Sequence, residues 1–228
     1  MSARIAVVLF PGSNCELDVV RAVEHLGASA EVVFHTETSL RGADGVVIPG
    51  GFAHGDYLRT GAIARFSPVM EAVAAHAQAG GPVVGICNGF QILTEAGLLP
   101  GALQKNAGLK FVCDTVAVRV VSTRSVLTRA AELDAVLRIP INHFEGNYTC
   151  DAKTLALLRT EDRIVVRYVE NPNGSVDDIA GICNQAGNVV GLMPHPERAS
   201  ESILGSQDGV VLLESVLRAA SERFTLRG

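Results

Sequence analysis

The chain has 228 residues, of which 48% are hydrophobic and 19% charged, and it carries a net charge of −5 at pH 7 with no tryptophan. This length and composition predict one globular domain over residues 1–228 with a substantial core. The negative charge and the lack of a basic run exclude the electrostatic surface that binds nucleic acid or an anionic membrane.

The cysteines and the N-terminal residues together predict a cytoplasmic protein. Cysteine occurs at five widely spaced positions without a C-x-x-C pair, and an odd, scattered set argues against a disulfide framework. The residues from Met1 to Arg4 lead straight into an apolar strand and lack the regions of a signal peptide. No apolar run is long enough to span a bilayer. We therefore expect a reducing compartment.

Strands and helices alternate along the first part of the chain, which is typical of an α/β protein with a parallel sheet. Residues 5–10 are continuously apolar and predict a strand buried on both faces. The next helix begins where Ser13 and Glu16 have the spacing of a capping box. Its inward face is predicted to be Leu17, Val20, Val23 and Leu26. Further strands are predicted at 30–34 and 45–49.

The rest of the chain mixes helices with shorter strands. An alanine-rich helix is predicted at 62–79, and residues 98–109 predict a loop. Further strands are predicted at 111–121, 135–141, 163–169, 179–184 and 188–193, the last two forming a hairpin. A final amphipathic helix is predicted at 208–224. The shorter strands indicate antiparallel pairing on the far side of the sheet.

A cysteine lies at the corner between the strand and the helix that residues 82–93 predict. Gly85 and Gly89 flank Cys87 in the pattern of a nucleophile elbow, where larger residues would collide with the neighbouring backbone. The helix N-terminus favours the thiolate, and the N–H of Asn88 points to where an oxyanion would form. The alternative is a small core residue. The two glycines favour a nucleophile.

Cys15 is a second candidate nucleophile because it also lies in the first turn of a predicted helix. No pair of glycines flanks Cys15 in the elbow pattern, so a packing or capping position is the preferred interpretation. Separate substitution of Cys15 and Cys87 distinguishes the two.

The segment 49–61 is rich in glycine and follows a predicted strand directly. It lacks both the Gly-Lys-Ser/Thr of a phosphate loop and the G-x-G-x-x-G spacing of a dinucleotide site. Paired glycines after a strand can present a backbone N–H, here that of Gly51, to an oxyanion. A plain flexible turn is an equal alternative for this segment.

A histidine clamped between two prolines follows the predicted hairpin. Pro194 and Pro196 hold His195 in an extended conformation, so that Glu197 projects to the same side as the imidazole. This supplies a base and its orienting carboxylate. A rigid turn with a solvated histidine is the simpler interpretation for this segment alone, but an elbow cysteine elsewhere favours catalysis. No pair of histidines has the spacing of a helical zinc site, so no metal is expected.

The three candidate groups share one structural position. Gly51, Cys87 and His195 each follow a predicted strand, and the carboxyl ends of parallel strands meet at one edge of a sheet. We therefore expect these residues to lie together.

These motifs resemble those of the class I, or triad, glutamine amidotransferase family. The resemblance rests on residues 49–52, 85–91 and 195–197. Four further segments resemble the PurQ family, the glutaminase subunits of phosphoribosylformylglycinamidine synthase: residues 11–15, 55–59, 142–146 and 193–198. Ala53 and His54 depart from that family's pattern but leave the Gly51 donor intact.

The resemblance implies a flavodoxin-like, three-layer α/β fold with a mostly parallel central sheet and additional antiparallel strands. It implies hydrolysis of glutamine to glutamate and ammonia through a cysteine thioester. The implied triad is Cys87, His195 and Glu197, with the oxyanion held by the N–H groups of Gly51 and Asn88. The implied glutamine contacts are Gln91, Asn142, His143 and Phe144.

The resemblance also implies partners. Ammonia would pass to a large ATP-dependent synthetase subunit of the PurL type, with a small PurS-type companion, in purine biosynthesis. ATP and Mg²⁺ are expected on that partner, because this chain has no nucleotide-binding motif. No cofactor is expected on this chain itself.

Two alternatives remain open at this point. One is another cysteine hydrolase on the same kind of sheet, such as a γ-glutamyl hydrolase or a dienelactone-type esterase. The other is a non-catalytic docking subunit, against which the intact Cys87, His195 and Glu197 argue.

Overall fold

The elements alternate as an α/β protein requires in the computed structural model, which describes the backbone of residues 3–227 and the side chains of residues 3–223. Met1, Ser2 and Gly228, the ends of the predicted domain, lie outside the described residues. The strands are β1 (Arg4–Leu9), β2 (Ser29–Phe34), β3 (Gly45–Ile48), β4 (Val83–Ile86), β5 (Ala102–Gln104), β6 (Val112–Val120), β7 (Val136–His143), β8 (Asn147–Thr149), β9 (Ile164–Tyr168), β10 (Ile179–Cys183) and β11 (Val189–Leu192).

Helices of two kinds connect these strands. The α-helices are α1 (Glu16–His25), α2 (Val69–Gln78), α3 (Asn88–Glu95), α4 (Ala152–Thr160) and α5 (Val210–Arg227). One-turn 3-10 helices lie at Ala53–Asp56, Ala64–Phe66, Val176–Asp178, Pro196–Ala199 and Ser202–Leu204. None of the helices in the described part of the chain is long and apolar enough to cross a membrane.

The main sheet is parallel on one side and antiparallel on the other. Over residues 3–227 its nine strands lie in the order β2-β1-β3-β4-β11-β10-β9-β6-β7, and β5 pairs separately with β8. The first five strands of this order, β2 to β11, pair in parallel. From β11 onward, each strand pairs with the next one in the order in an antiparallel arrangement. Every residue of β3, β4 and β11 is buried, because helices cover both faces of the sheet there. The predicted α/β fold class, with its antiparallel addition, is confirmed.

Three adjacent parallel strands end level with one another. Ile48 at the end of β3 pairs with Gly85 of β4, and Ile86 at the end of β4 pairs with Leu192 of β11. The residues that follow these strands therefore emerge at the same edge of the sheet. The expectation that Gly51, Cys87 and His195 share one edge is confirmed.

The predicted capping box of α1 is wrong, and its predicted inward face is right at Val23 and Val20 but wrong at Leu17. The Ser13 hydroxyl accepts a hydrogen bond from the N–H of Phe10 at 3.1 Å, so it serves the preceding turn instead of the helix. The residue at the N-cap position is Cys15, whose side chain makes no cap bond. The buried face consists of Val19, Ala22 and Val23, whereas Leu17 is 56% exposed.

The predicted helix at 62–79 starts later than expected, at Val69. Pro68 disfavours a helical conformation at the residue before it, and Ser67 is extended, with φ −67° and ψ 141°. The short elements β5, β8 and α4 were not predicted, because three-residue strands and a helix with Leu158 as its one buried residue carry little periodic signal.

Phe90 anchors α3 to the sheet and to the segment that carries β8. Its side chain is fully buried and stacks on Tyr148, with ring centroids 5.8 Å apart. Gly191 of β11 leaves room for this ring, because a Cβ there would lie 2.0 Å from it. The position of α3, which begins directly after Cys87, therefore depends on this contact.

We predict that Phe90→Ala lowers the free energy of unfolding by about 3–5 kcal/mol, because it leaves a cavity in a close-packed core. Phe66→Ala is the matched control, since Phe66 is 74% exposed and its loss is expected to change stability by no more than about 0.5 kcal/mol. Urea denaturation of both variants measures the difference. Equal stability changes would contradict this account of α3.

Candidate active site

The backbone is strained at Cys87, the residue between β4 and α3. Its φ is 51° and its ψ is −105°, a conformation that residues other than glycine rarely adopt. A Cβ at Gly85 would lie 2.5 Å from the carbonyl oxygen of Gly89, and a Cβ at Gly89 would lie 2.0 Å from that of Ile48. Both glycines are therefore required, as the elbow pattern predicts.

The Cys87 backbone is also tied to the neighbouring strand. Its N–H donates to the carbonyl of Leu192 at 2.8 Å, at the end of β11. His195 follows three residues after Leu192. Its N–H donates to the carbonyl of Pro140 in β7 at 2.8 Å. Backbone hydrogen bonds thus hold both segments at the sheet edge.

His195 and Glu197 form a buried pair. The imidazole Nδ1 lies 2.6 Å from the Glu197 Oε1, and the two side chains are 2% and 0% exposed. The predicted contact is present, but the predicted backbone reason is wrong. Pro196–Ala199 forms a 3-10 turn instead of an extended segment, and this turn brings the carboxylate back to the ring.

The surroundings of His195 favour its charged form. Burial lowers the pKa of His195, but the carboxylate of Glu197 and the nearby thiols of Cys87 and Cys15 raise it, and the net pKa lies well above the usual value. Because Nδ1 faces Glu197, the buried Nε2 is the ring nitrogen that is left to exchange a proton.

Gly50 is the point where the candidate side chains converge. A Cβ at this position would lie 2.7 Å from His195 Cε1, 3.0 Å from Cys15 Sγ and 3.5 Å from Cys87 Cβ. Only a glycine lets these three groups approach one another. The sequence analysis used Gly51 of this pair and assigned nothing to Gly50.

Cys15 is buried beside His195, in agreement with a packing position. Its Sγ accepts from Nη2 of Arg198 at 3.1 Å, and Nε of the same arginine donates to Oδ2 of Asp18 at 3.2 Å. Cys15, His195 and Glu197 each offer a potential metal-ligand atom within 4.8 Å of the others. The bond between Nδ1 of His195 and Oε1 of Glu197 would have to break for both atoms to bind one ion.

Two backbone N–H groups near Cys87 are outside the regular hydrogen-bonding ladders. The N–H of Asn88, the first residue of α3, cannot have an intrahelical partner. The strand-like bridge between Ser13 and Gly51 uses the N–H groups of Phe52 and Asn14, which leaves that of Gly51 unused by the bridge. The φ of Gly51 is 142°, and a Cβ there would lie 2.7 Å from the Asn14 nitrogen.

The Asn88 side chain has a role that the sequence analysis missed. Its Oδ1 accepts from the N–H of Ala53 at 3.0 Å, and its Nδ2 donates to Oε1 of Gln91 at 2.8 Å. The Asn88 side chain therefore holds the glycine-rich segment 49–61 against α3.

A cavity of about 230 Å³ opens beside Cys87. The predicted glutamine contacts all line it: Gln91, Asn142, His143 and Phe144. The other lining residues are Gly51, Phe52, Asp56, Thr60, Cys87 and Glu145. The carbonyl oxygen of Asn142 lies 3.7 Å from the Cys87 sulfur. The structure thus brings the predicted contacts to the nucleophile.

Two carboxylates in this cavity were not predicted. Burial raises the pKa of Asp56 to about 6, and the nearby Glu145 contributes in the same direction. Thr60 donates to Oε2 of Glu145 at 3.1 Å, and Asn88 donates to Oδ1 of Asp56 at 3.4 Å. Asp56 and Glu145 both lie in segments that carry the family resemblance. No rule of sequence spacing connects two positions that are so far apart in the chain.

Asn106 fixes the tautomer of His143. The amide nitrogen of Asn106 donates to the carbonyls of Lys110 and His143, so its Oδ1 must accept from Nδ1 of His143 at 3.1 Å. Burial, and to a smaller extent His195, lowers the pKa of His143 to about 4. Its buried Nε2 therefore carries a lone pair, and it has no donor within residues 3–227.

Comparisons of this sequence with known proteins agree with one another. A CobB/CobQ-like glutamine amidotransferase domain matches residues 2–208. The phosphoribosylformylglycinamidine synthase subunit PurQ of Rubrobacter xylanophilus is 55% identical over 217 residues, which cover 95% of this chain and 99% of that protein. The corresponding subunit of Alkaliphilus metalliredigens is 54% identical over 215 residues, covering 94% and 95%.

Solved structures agree with these sequence relatives. A chain in the structure of PurLQS from Thermotoga maritima superposes with a TM-score of 0.88 at 42% identity, covering 96% of this chain and 99% of that chain. A putative GMP synthase subunit from Thermoplasma acidophilum superposes with a TM-score of 0.72 at 17% identity, covering 100% and 98%. The second match shows the fold alone.

We predict that Glu197→Gln lowers the pKa of His195. The carboxylate opposes the effect of burial, so its loss leaves burial dominant, and the imidazole loses its proton at lower pH. An NMR titration of the His195 ring measures the change. Glu201→Gln, in the same segment, is the control that should leave this pKa in place. An unchanged pKa in Glu197→Gln would contradict the assigned pairing.

Proposed function

The chain belongs to the PurQ family of CobB/CobQ-like glutamine amidotransferases, and on that premise we propose which of its residues hydrolyse glutamine. It is the glutaminase subunit of phosphoribosylformylglycinamidine synthase, an enzyme of purine biosynthesis. The identity to curated subunits over nearly the whole chain favours this activity over a γ-glutamyl hydrolase or a dienelactone-type esterase. A docking subunit without activity would not need a strained cysteine beside a buried imidazole-carboxylate pair.

The observation that carries the assignment is the position of Cys87 beside the end of β11, which leads to His195. The Cys87 thiol gives its proton to Nε2 of His195, and the sulfur attacks the side-chain amide carbon of glutamine to form a tetrahedral intermediate. His195 donates the proton on Nε2 to the departing ammonia, which leaves a thioester on the sulfur. The neutral imidazole then takes a proton from water, whose oxygen attacks the thioester. The C–S bond breaks, the imidazolium returns the proton to the sulfur, and glutamate leaves.

Glu197 orients the imidazole for both steps. Its carboxylate accepts the Nδ1 hydrogen, so Nε2 faces the reacting atoms, and its charge stabilises the imidazolium. Glu197 is fully buried, which strengthens this interaction by excluding water.

The N–H groups of Gly51 and Asn88 stabilise the oxyanion. Both lie outside regular hydrogen-bonding ladders at the same edge of the sheet as Cys87. Loss of one such donor typically lowers the rate by about 10²- to 10³-fold. The cavity beside Cys87 binds glutamine through Gln91, Asn142, His143 and Phe144.

The match to PurLQS implies a PurL partner for this chain. We further propose that a PurS-type companion takes part and that ATP and Mg²⁺ bind the partner. Exposed apolar side chains support docking beside the cavity, because Phe52 is 47%, Tyr57 71% and Leu58 81% exposed in the segment that borders it. All five cysteines are free, which supports the proposal of a reducing, cytoplasmic compartment.

Cys87→Ser is expected to abolish glutamine-dependent ammonia release, with a loss of at least about 10³-fold, because a serine hydroxyl is a far weaker nucleophile here. Cys15→Ser is expected to retain most of the activity, since serine keeps the packing beside His195. Cys113→Ser, at an exposed cysteine, is the control. The assay uses the full chain with its synthetase partner. Loss of activity in Cys15→Ser but not in Cys87→Ser would refute the assignment.

A further inference from the structure

The cavity beside Cys87 is rich in hydrogen-bond acceptors and poor in positive charge. Asp56 and Glu145 both line it, and none of the described lining residues is a lysine or an arginine. The nearest arginine in the Asp56 segment, Arg59, is committed to Glu95 through bonds of 2.6 and 2.7 Å. The two carboxylates therefore lack a counter-charge from the lining.

Each carboxylate has one oxygen held by the protein and one left for a ligand. Thr60 holds Oε2 of Glu145, and Asn88 holds Oδ1 of Asp56. Their mutual repulsion is visible in Asp56, whose pKa burial and Glu145 raise to about 6. A bound cation between them would relieve this repulsion.

His143, a third residue that lines the same cavity, carries a buried acceptor. His143 is 3% exposed, and its Nε2 carries a lone pair without a donor among residues 3–227, since Asn106 fixes the hydrogen on Nδ1. A buried acceptor without a donor is costly, and a ligand N–H would satisfy it. This observation is independent of the two carboxylates and points to the same kind of ligand group.

We propose that Asp56, Glu145 and Nε2 of His143 form the subsite for the α-ammonium group of the substrate. A primary ammonium supplies three N–H donors and one positive charge, which matches two carboxylates and one neutral acceptor. The site thereby selects a free amino acid over an amide whose α-nitrogen is absent or acylated. This inference rests on the proposed glutaminase activity, because it places the reacting amide at Cys87 in the same cavity.

A chain of hydrogen bonds connects this subsite to the nucleophile. Gln91 donates to the carbonyl of Glu145 at 2.5 Å and accepts from Asn88, which contacts Asp56 and directly follows Cys87. The distance between the ammonium subsite and the sulfur is therefore fixed by α3. Such a fixed distance favours glutamine over amides of different chain length.

The test compares Asp56→Asn and Glu145→Gln in the full chain assayed with its synthetase partner. The substrates are glutamine, 4-carbamoylbutanoate, which is glutamine without its ammonium, and N-acetylglutamine. We expect kcat/KM for glutamine to fall by about 10- to 100-fold, mainly through KM, because a charged hydrogen bond is lost. Values for the other two substrates should change little, so the wild-type preference for glutamine shrinks by the same factor.

Two controls separate this result from misfolding. Asn tolerates the left-handed backbone of Asp56, whose φ is 52°, and Gln can still accept from Thr60. Glu132→Gln removes an exposed carboxylate outside the cavity lining and should leave the preference intact. Unchanged thermal unfolding and unchanged alkylation of Cys87 by iodoacetamide verify that each variant keeps its site.

Where turnover of an analogue is too slow to measure, its Ki against glutamine gives the same ratio. A wild-type complex that does not hydrolyse glutamine would refute the proposed function itself. Glutamine hydrolysis with an unchanged preference in both variants, or an equal loss on all three substrates, would overturn the ammonium subsite alone.

Discussion

The register of three neighbouring parallel strands is the constraint on which the active site depends. Because β3, β4 and β11 end level, the groups that follow them meet although more than 100 residues separate Cys87 from His195. The sheet supplies the position, and the turns after each strand supply the chemistry. A shift of one strand by a single residue would turn its side chains to the other face and separate the nucleophile from its base.

Close approach of backbone segments is the second requirement at this edge. Four glycines permit it: Gly50, Gly51, Gly85 and Gly89. Added methyl groups would meet a neighbouring carbonyl, nitrogen or imidazole at less than a normal contact distance. The strained φ of Cys87 is held in the same way, by the bond from its N–H to Leu192 and by α3 packed through Phe90. Strain at the nucleophile is thus supported by packing on both sides.

Electrostatics divides the site into two regions of opposite character. Near the sulfur, the Glu197 carboxylate raises the pKa of the buried His195 imidazole, which suits the proposed role of protonating ammonia. On the cavity wall, burial and the nearby Glu145 raise the pKa of Asp56 to about 6, and the proposed ammonium group would relieve the repulsion between the two carboxylates. The substrate that satisfies both regions carries an amide at one end and an ammonium at the other.

Sequence reasoning succeeded where the signal is local. The elbow is encoded by glycines two residues either side of Cys87, and the strands by continuous apolar runs. It failed where one residue overrides a pattern, as Pro68 does before α2 and as the Ser13 hydroxyl does before α1. The Glu197 contact was predicted from an extended backbone that is in fact a 3-10 turn. The carboxylate pair was missed because only the folded chain brings Asp56 to Glu145.

The most direct test of the central claim is to trap the covalent intermediate. The complex is mixed with glutamine, quenched in acid within the turnover time, digested and analysed by mass spectrometry. We predict a glutamyl thioester on the peptide that contains Cys87, and its absence when Cys87 is replaced by alanine. An adduct on Cys15, or glutamine turnover without any adduct on Cys87, would contradict the account.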